Sequence, residues 1–301
     1  MGIKKTLASL AAAVMLSLPA SARAAAIPLS NVSSPNNPAD TTGFGSVPHS
    51  YSIGKYEVTN SQYADFLNSI AKSDPLEYFN SGMQIARTGG SGNFSYAPAE
   101  GKENNPITNV SWFDAMAFVN WLELGQPTST NPHFVRAGAT YDLTSFFNLP
   151  TSRNPDSKWV LPTEDEWYKA AYHNGNTDAF WLYPTRSSSA PIAELPPGGI
   201  NSANYNNLQN QSTEVGVYPE SKSFYNTFDM AGNAWEITEF PGVLRGGSFD
   251  SSDFAHSGKR FVITNPFEEN DELGFRVAYI PEPASLTMLA SMFPFLKRKN
   301  N

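Results

Sequence analysis

The strongest constraint on this chain is how its apolar periodicity is broken up. Three stretches carry a helix start signal followed by a helical apolar stripe, and long segments rich in Gly, Pro, Ser and Asn separate them. Thr59-Asn60 opens the first, behind which Tyr63, Phe66, Leu67 and Ile70 fall at i, i+3, i+4 and i+7. Ser111 caps the second, with Asp114 at the capping-box position and Trp112, Ala115, Met116, Val119 and Leu122 on its apolar face. Thr163 and Glu166 frame the third, ahead of Trp167, Ala170 and Ala171. Alternating stretches at 51–58 and 273–278 read as strands, whereas 74–105 and 174–218 read as loop. With 21 Gly, 23 Pro and only 16% charged residues in 301, the pattern predicts an α+β fold of short elements and long connections. Hydrophobic residues at 40% supply a core large enough to hold it, and no internal repeat divides it.

The two ends differ from the middle. Lys4 and Lys5, an apolar run to Pro19 and Ala22-Arg23-Ala24 form the pattern of a secretory signal over 1–24, followed over 25–47 by a linker or a loosely packed entry strand. At the other end, Pro281-Glu282-Pro283 precedes thirteen uncharged residues and then Lys297-Arg298-Lys299. Thirteen helical residues rise about 20 Å, short of the roughly 30 Å hydrocarbon core, so a transient membrane stop is expected rather than a permanent anchor. Between these ends, residues 25–280 carry 14 basic and 27 acidic side chains, a net charge of -13. Such a surface repels nucleic acid and favours cations, sugars or basic partners. The chain has no cysteine, which excludes disulfides, thiolate metal sites and thiol nucleophiles.

Chemistry is most concentrated in Phe228-Asp229-Met230-Ala231-Gly232-Asn233-Ala234-Trp235-Glu236 and the following Leu244-Arg245-Gly246-Gly247-Ser248-Phe249. Glycines there permit backbone forms closed to other residues, and polar groups sit beside large rings. The four histidines, His49, His133, His173 and His256, show no metal-ligand spacing. Ser248 or Ser251 with His256 and Asp250 or Asp253 contains the residue types of a hydrolytic triad, but the chain lacks a nucleophile elbow.

Six ordered motifs resemble the formylglycine-generating enzyme, or sulfatase-modifying factor (SUMF), family. They are Tyr56-Glu57-Val58-Thr59-Asn60, Pro106 to Trp112, Leu161 to Trp167, Asp229 to Glu236, Leu244 to Ser248, and Leu273-Gly274-Phe275-Arg276. The resemblance implies a C-type-lectin-like domain over 48–280, built of short twisted strands, a few amphipathic helices and much irregular loop. Catalytic members of the family oxidise a sulfatase cysteine with copper held by two cysteines. Here those positions fall on Ser251 and His256, beside the pocket residue Ser248, so copper is not expected. The resemblance also implies calcium at loop sites, with Asn233 and Glu236 as ligands of one and Asn204 as a ligand of a second. The alternative is that Asn233 shapes a turn and Glu236 pairs with Arg245.

The C-terminal segment, 281–301, resembles a PEP-CTERM sorting signal, which implies exosortase-type machinery of a Gram-negative bacterium. The expected location is the periplasm, the outer surface or the extracellular matrix. The expected function is that of an exported, surface-associated pseudoenzyme binding a polysaccharide, peptide or cell-surface protein. Trp235, Arg245, Ser248, Ser251 and His256 are its candidate pocket residues. The alternatives are a formylglycine-generating-type oxidoreductase with an altered metal site and a structural matrix protein.

Overall fold

A computed structural model describes residues 26–281 apart from 146–149, 151 and 254. The expected signal peptide over 1–24 lies outside the described residues, as does all of the sorting segment beyond Pro281. Among the described residues no helix is long and apolar enough to cross a membrane.

The elements run β1 (Leu29–Val32), β2 (Tyr51–Gly54), α1 (Asn60–Ile70), β3 (Ile85–Thr88), β4 (Ser95–Pro98) and α2 (Trp112–Glu123), followed by a 3-10 turn at Pro132–Arg136. Then come β5 (Trp159–Val160), α3 (Glu164–Tyr172), β6 (His173–Asn174), β7 (Ala179–Phe180), β8 (Ile192–Ala193) and β9 (Ser202–Ala203). The chain closes with β10 (Trp235–Ile237), β11 (Val243–Arg245), β12 (Phe261–Val262), β13 (Leu273–Phe275) and β14 (Ala278–Tyr279). One four-stranded sheet has the order β1-β2-β14-β5 and a second the order β12-β11-β10-β13. The mixture of short strands and three helices is the α+β architecture expected from the sequence.

All three helices begin where the sequence places them. Thr59, Ser111 and Thr163 each accept the N3 amide hydrogen, and the N3 side chain returns the bond to the cap amide. At α1 the partner is Gln62, which makes the first cap a full capping box. The stripe Tyr63, Phe66, Leu67 and Ile70 is wholly buried. It packs with Phe118 and Trp121 of α2 and with Phe275 in the larger core. A second core gathers Trp167, Tyr168 and Tyr172 of α3 against Tyr51 and Ile53 of β2.

Three expectations change. Of the two readings of the segment before 48, residues 26–47 follow the entry strand and not the linker, and they are packed: β1 pairs antiparallel with β2, Val32 and Val47 are buried, and the Asn37 amide donates to Gly45 O at 2.7 Å. Segment 74–105 is not all loop, because β3 and β4 form a hairpin whose Tyr96 hydroxyl donates to Ala71 O at 2.7 Å at the end of α1. Segment 273–278 is not one strand. β13 pairs parallel with β10 in the second sheet and β14 pairs with β2 and β5 in the first, so the chain changes sheets at Arg276-Val277.

Arg276 at that crossing is fully buried. Its guanidinium binds both carboxylate oxygens of Glu236 on β10 and donates to Gly54 O at 2.9 Å and Phe228 O at 3.0 Å. Glu57 lies 3.9 Å away and Asp229 beside it. Burial, then the neighbouring Asp229 charge, pushes the Glu57 carboxyl well above its usual range despite Arg276. Burial likewise pushes Asp229 up to about 6 against the pull of the Gly216 amide and Arg276.

Removing Arg276 strands the Glu236 charge in the core. Arg276→Ala is therefore expected to cost about 3–5 kcal/mol, and Arg276→Met with Glu236→Gln to recover part of it, read from urea midpoints. The folded state holds the Asp229 proton more tightly than the unfolded state, whose carboxyl has a value near 3.8. Stability from this group is thus present at low pH and is lost as pH rises from about 4 to about 6. Asp74, also raised to about 6 by burial, acts in the same direction. Asp229→Asn is expected to flatten the fall in unfolding free energy over that window, and an unchanged slope would refute the assignment.

Candidate functional site

Strand alternation decides which residues of the second sheet meet. Glu236 and Arg245 are cross-strand partners on one face, whereas Trp235, Leu244 and Leu273 project from the other. Beyond β11, Gly246 and Gly247 take φ of 94° and 82°, a left-handed turn that sends Ser248 inward. Ser248 is fully buried, and its hydroxyl donates to the Glu272 carboxylate. The Ser251 Oγ lies 3.1 Å from Ser248 Oγ and accepts the Ser248 amide hydrogen at 2.9 Å.

Over this pair opens a cavity of about 270 Å³. Trp235, Leu244, Phe261 and Ile263 form its apolar wall, and Asp250, Ser251, Glu268, Asn270 and Glu272 its polar one. The Trp235 and Phe261 rings stand 5.4 Å apart at 31°. Phe261 and Val262 on the edge strand β12 are 42% and 58% exposed, so the apolar wall continues onto the surface. Among the described residues no lysine or arginine pairs with Asp250, Glu268 or Glu272.

The five expected pocket residues therefore divide. Trp235, Ser248 and Ser251 come together. Arg245 turns the other way, with Nη2 2.6 Å from Glu164 and Nη1 donating to Ser257 O at 3.1 Å and Lys259 O at 2.6 Å. Its guanidinium also covers the rings of Phe44 and Tyr168 at 4.7 and 5.2 Å. His256 meets the Tyr183 ring edge-on at 5.3 Å and accepts the Gly258 amide hydrogen at 3.0 Å. It bonds to neither serine, so no hydrolytic triad forms. Glu268, Glu272 and Phe261 were not expected from the sequence. The signal for the two carboxylates was the acidic run Glu268-Glu269-Asn270-Asp271-Glu272 directly before the strand Leu273-Gly274-Phe275, whereas Phe261 carried none.

The Asn233 loop is held internally. Gly232 has φ of 77°, and a Cβ there would meet Asn204 O at 2.2 Å, so only glycine permits the Asn204–Gly232 bridge. Asn233 Oδ1 accepts from Thr213 N at 2.8 Å and Asn204 Nδ2 at 3.2 Å, and its Nδ2 donates to Glu57 at 3.0 Å. Glu236 instead faces Arg276 and the Trp167 indole at 2.7 Å. Asn233 and Glu236 meet in one buried network through Glu57 and Arg276, in which the Asn233 oxygen is taken by amide donors and both Glu236 oxygens by Arg276, so they do not fit a shared calcium ion. Nor does Glu236 pair with Arg245. Among the described residues no group of three or more His, Asp or Glu side chains is arranged to hold a metal.

The family model for the sulfatase-modifying factor enzyme 1-like domain matches residues 37–280. The chain belongs to the sulfatase-modifying factor family. Among solved structures it is similar to Treponema denticola variable protein 1, at 23% identity and a TM-score of 0.52 over 84% of this chain and 95% of that one. It is also similar to CarF, at 20% identity and a TM-score of 0.55 over 85% of this chain and 98% of that one. At these identities the shared property is the formylglycine-generating-enzyme fold.

Within that fold, the residues at the thiolate positions do not fit copper(I). Ser251 offers a hydroxyl already committed to Ser248, and His256 stands against Tyr183. Because Arg276 already neutralises Glu236, EDTA is expected to leave the thermal midpoint within about 1 °C. A fall of several degrees, reversed by added calcium, would return the ion to the Asn233 loop.

Proposed function

We propose that this chain is an exported, surface-associated binding module of the sulfatase-modifying factor family, without the copper oxidase reaction. In this reading the cleft beside Trp235 takes a basic group presented by a partner protein or peptide. The observation that carries it is the pairing of two aromatic rings with three carboxylates that have no cation partner among the described residues. An aromatic face attracts a cation within about 6 Å by its quadrupole, and the carboxylates add charge-assisted hydrogen bonds. Ser248 and Ser251 hold Glu272 and the wall in place in this scheme, a positioning role that needs no reacting group.

Export follows in this proposal from the two ends, a signal peptide removed after Ala24 and a PEP-CTERM-like tail handled by exosortase-type machinery. Mass spectrometry of the ends of the protein recovered from its host tests that part.

The cleft is tested by isothermal titration of a lysine- and arginine-containing peptide library, with acetylated and neutral peptides as controls. Basic peptides are expected to bind, and Asp250→Asn with Glu268→Gln to weaken them about tenfold, with more weakening in high salt. Equal binding of neutral peptides would count against the reading. Copper uptake with oxidation of a cysteine in a sulfatase-derived peptide would establish the oxidoreductase alternative in its place.

A further inference from the structure

A second groove runs along β1, away from the residues of the Trp235 cleft. It encloses about 450 Å³ between the outer edge of β1 and the segment 222–228. β1 is the terminal strand of its sheet, so among the described residues this edge has no strand partner. The groove is lined by Lys55, Lys222, Asn31, Ser33, Asn226 and Phe224, and among the described residues no carboxylate lines it. That is the reverse of the molecule as a whole, which carries a net charge of -8.

The two lysines are free for a ligand. No described carboxylate forms an ion pair with either. Lys55 is held in position by rings, its Nζ lying 5.5 Å from the centre of Tyr56 and 5.3 Å from that of Phe228. Such a contact fixes the stem of the side chain while leaving ammonium hydrogens available for an anion. The opposite wall is pinned by the Ser30 hydroxyl donating to Asn226 O at 3.0 Å and by the Phe228 amide donating to Lys55 O at 2.9 Å. The groove is therefore built from ordered segments on both sides.

We infer that this groove is a binding site for an acidic sugar residue, one bearing a carboxylate or a sulfate. Ammonium groups without a guanidinium fork recognise such groups as point charges, whatever their oxygen geometry. Asn31, Ser33 and Asn226 present amides and a hydroxyl that match sugar hydroxyls. The volume suits a saccharide unit in an open groove rather than a bare ion. The ligand class is thus opposite in charge to that of the Trp235 cleft, and the two sites are independent.

The test is calorimetric titration of the purified full chain with oligogalacturonate, dextran sulfate, neutral dextran and polyglutamate. Binding of oligogalacturonate or dextran sulfate is expected, and which of the two binds more tightly identifies the carboxylate or the sulfate as the group read. Neutral dextran is expected not to bind. Lys222→Gln and Lys55→Gln, each checked by circular dichroism and thermal midpoint, should weaken the acidic glycan at least tenfold, while Lys102→Gln, a lysine that lines neither site, should leave it unchanged. Folded lysine variants that bind as tightly as the parent would overturn the assignment. So would binding of neutral dextran at equal affinity, or of polyglutamate more tightly than either glycan, the latter making the groove a site for acidic peptide.

Discussion

Arg276 is the group on which the arrangement of this protein depends. It stands where the chain leaves one sheet for the other, and a buried guanidinium is tolerated only when its donors are matched. Glu236 supplies the charge, while Gly54 O and Phe228 O tie in β2 and the segment before the Asn233 loop. The consequence reaches the cleft by strand geometry. With Glu236 turned inward to Arg276, alternation along β10 leaves Trp235 on the opposite face, beside Leu244 and Leu273. A structural ion pair thereby aims the aromatic residue of the candidate site.

Long loops without disulfides need another form of crosslink, and side-chain amides provide it. Asn120 on α2 donates to Val135 O and Tyr141 O at 2.6 and 2.8 Å and accepts the Thr140 and Tyr141 amide hydrogens at 2.9 and 2.8 Å. Asn233 and Asn37 do the same for their own loops. Each satisfies buried backbone groups that no sheet or helix pairs, which is the condition for burying irregular chain at all. Charged groups add to this. Arg153 joins Glu166 at 2.9 Å to Glu239 at 2.6 Å, and Arg245 fastens the 257–260 loop to Glu164 at the start of α3.

The sequence was most legible where local chemistry decides the outcome. Ser111 with Asp114 and Thr163 with Glu166 are caps set by neighbours three residues apart, and the α1 stripe repeats at the helical period. The family resemblance likewise rested on short ordered motifs, and it gave the fold. What stayed hidden depended on distant pairing. β1 reads equally as linker or entry strand because its four residues acquire a strand partner only from β2. The single strand expected over 273–278 became two because Arg276 diverts the chain between sheets. Arg245 and His256 looked like neighbours of Ser248 by proximity in sequence, yet alternation sends Arg245 to the other face. A polar residue within a few positions of a site is placed in it only if the pleat and the turn agree.

The cleft beside Ser251 is more than an open rim. Ser251 is bound into a hydroxyl pair that ends on Glu272, and the acidic loop 268–272 completes the wall. None of its cleft carboxylates is neutralised from within the described chain, so each must be balanced by solvent ions or by a partner. In the proposed reading a cation held by a partner meets the charge and the ring faces together, so the site would discriminate by sign as well as by shape. The lysine groove along β1 applies the same physics with the sign reversed. An acidic protein repels anions at long range, so an acidic glycan captured there must be recognised by short-range contact with Lys55 and Lys222.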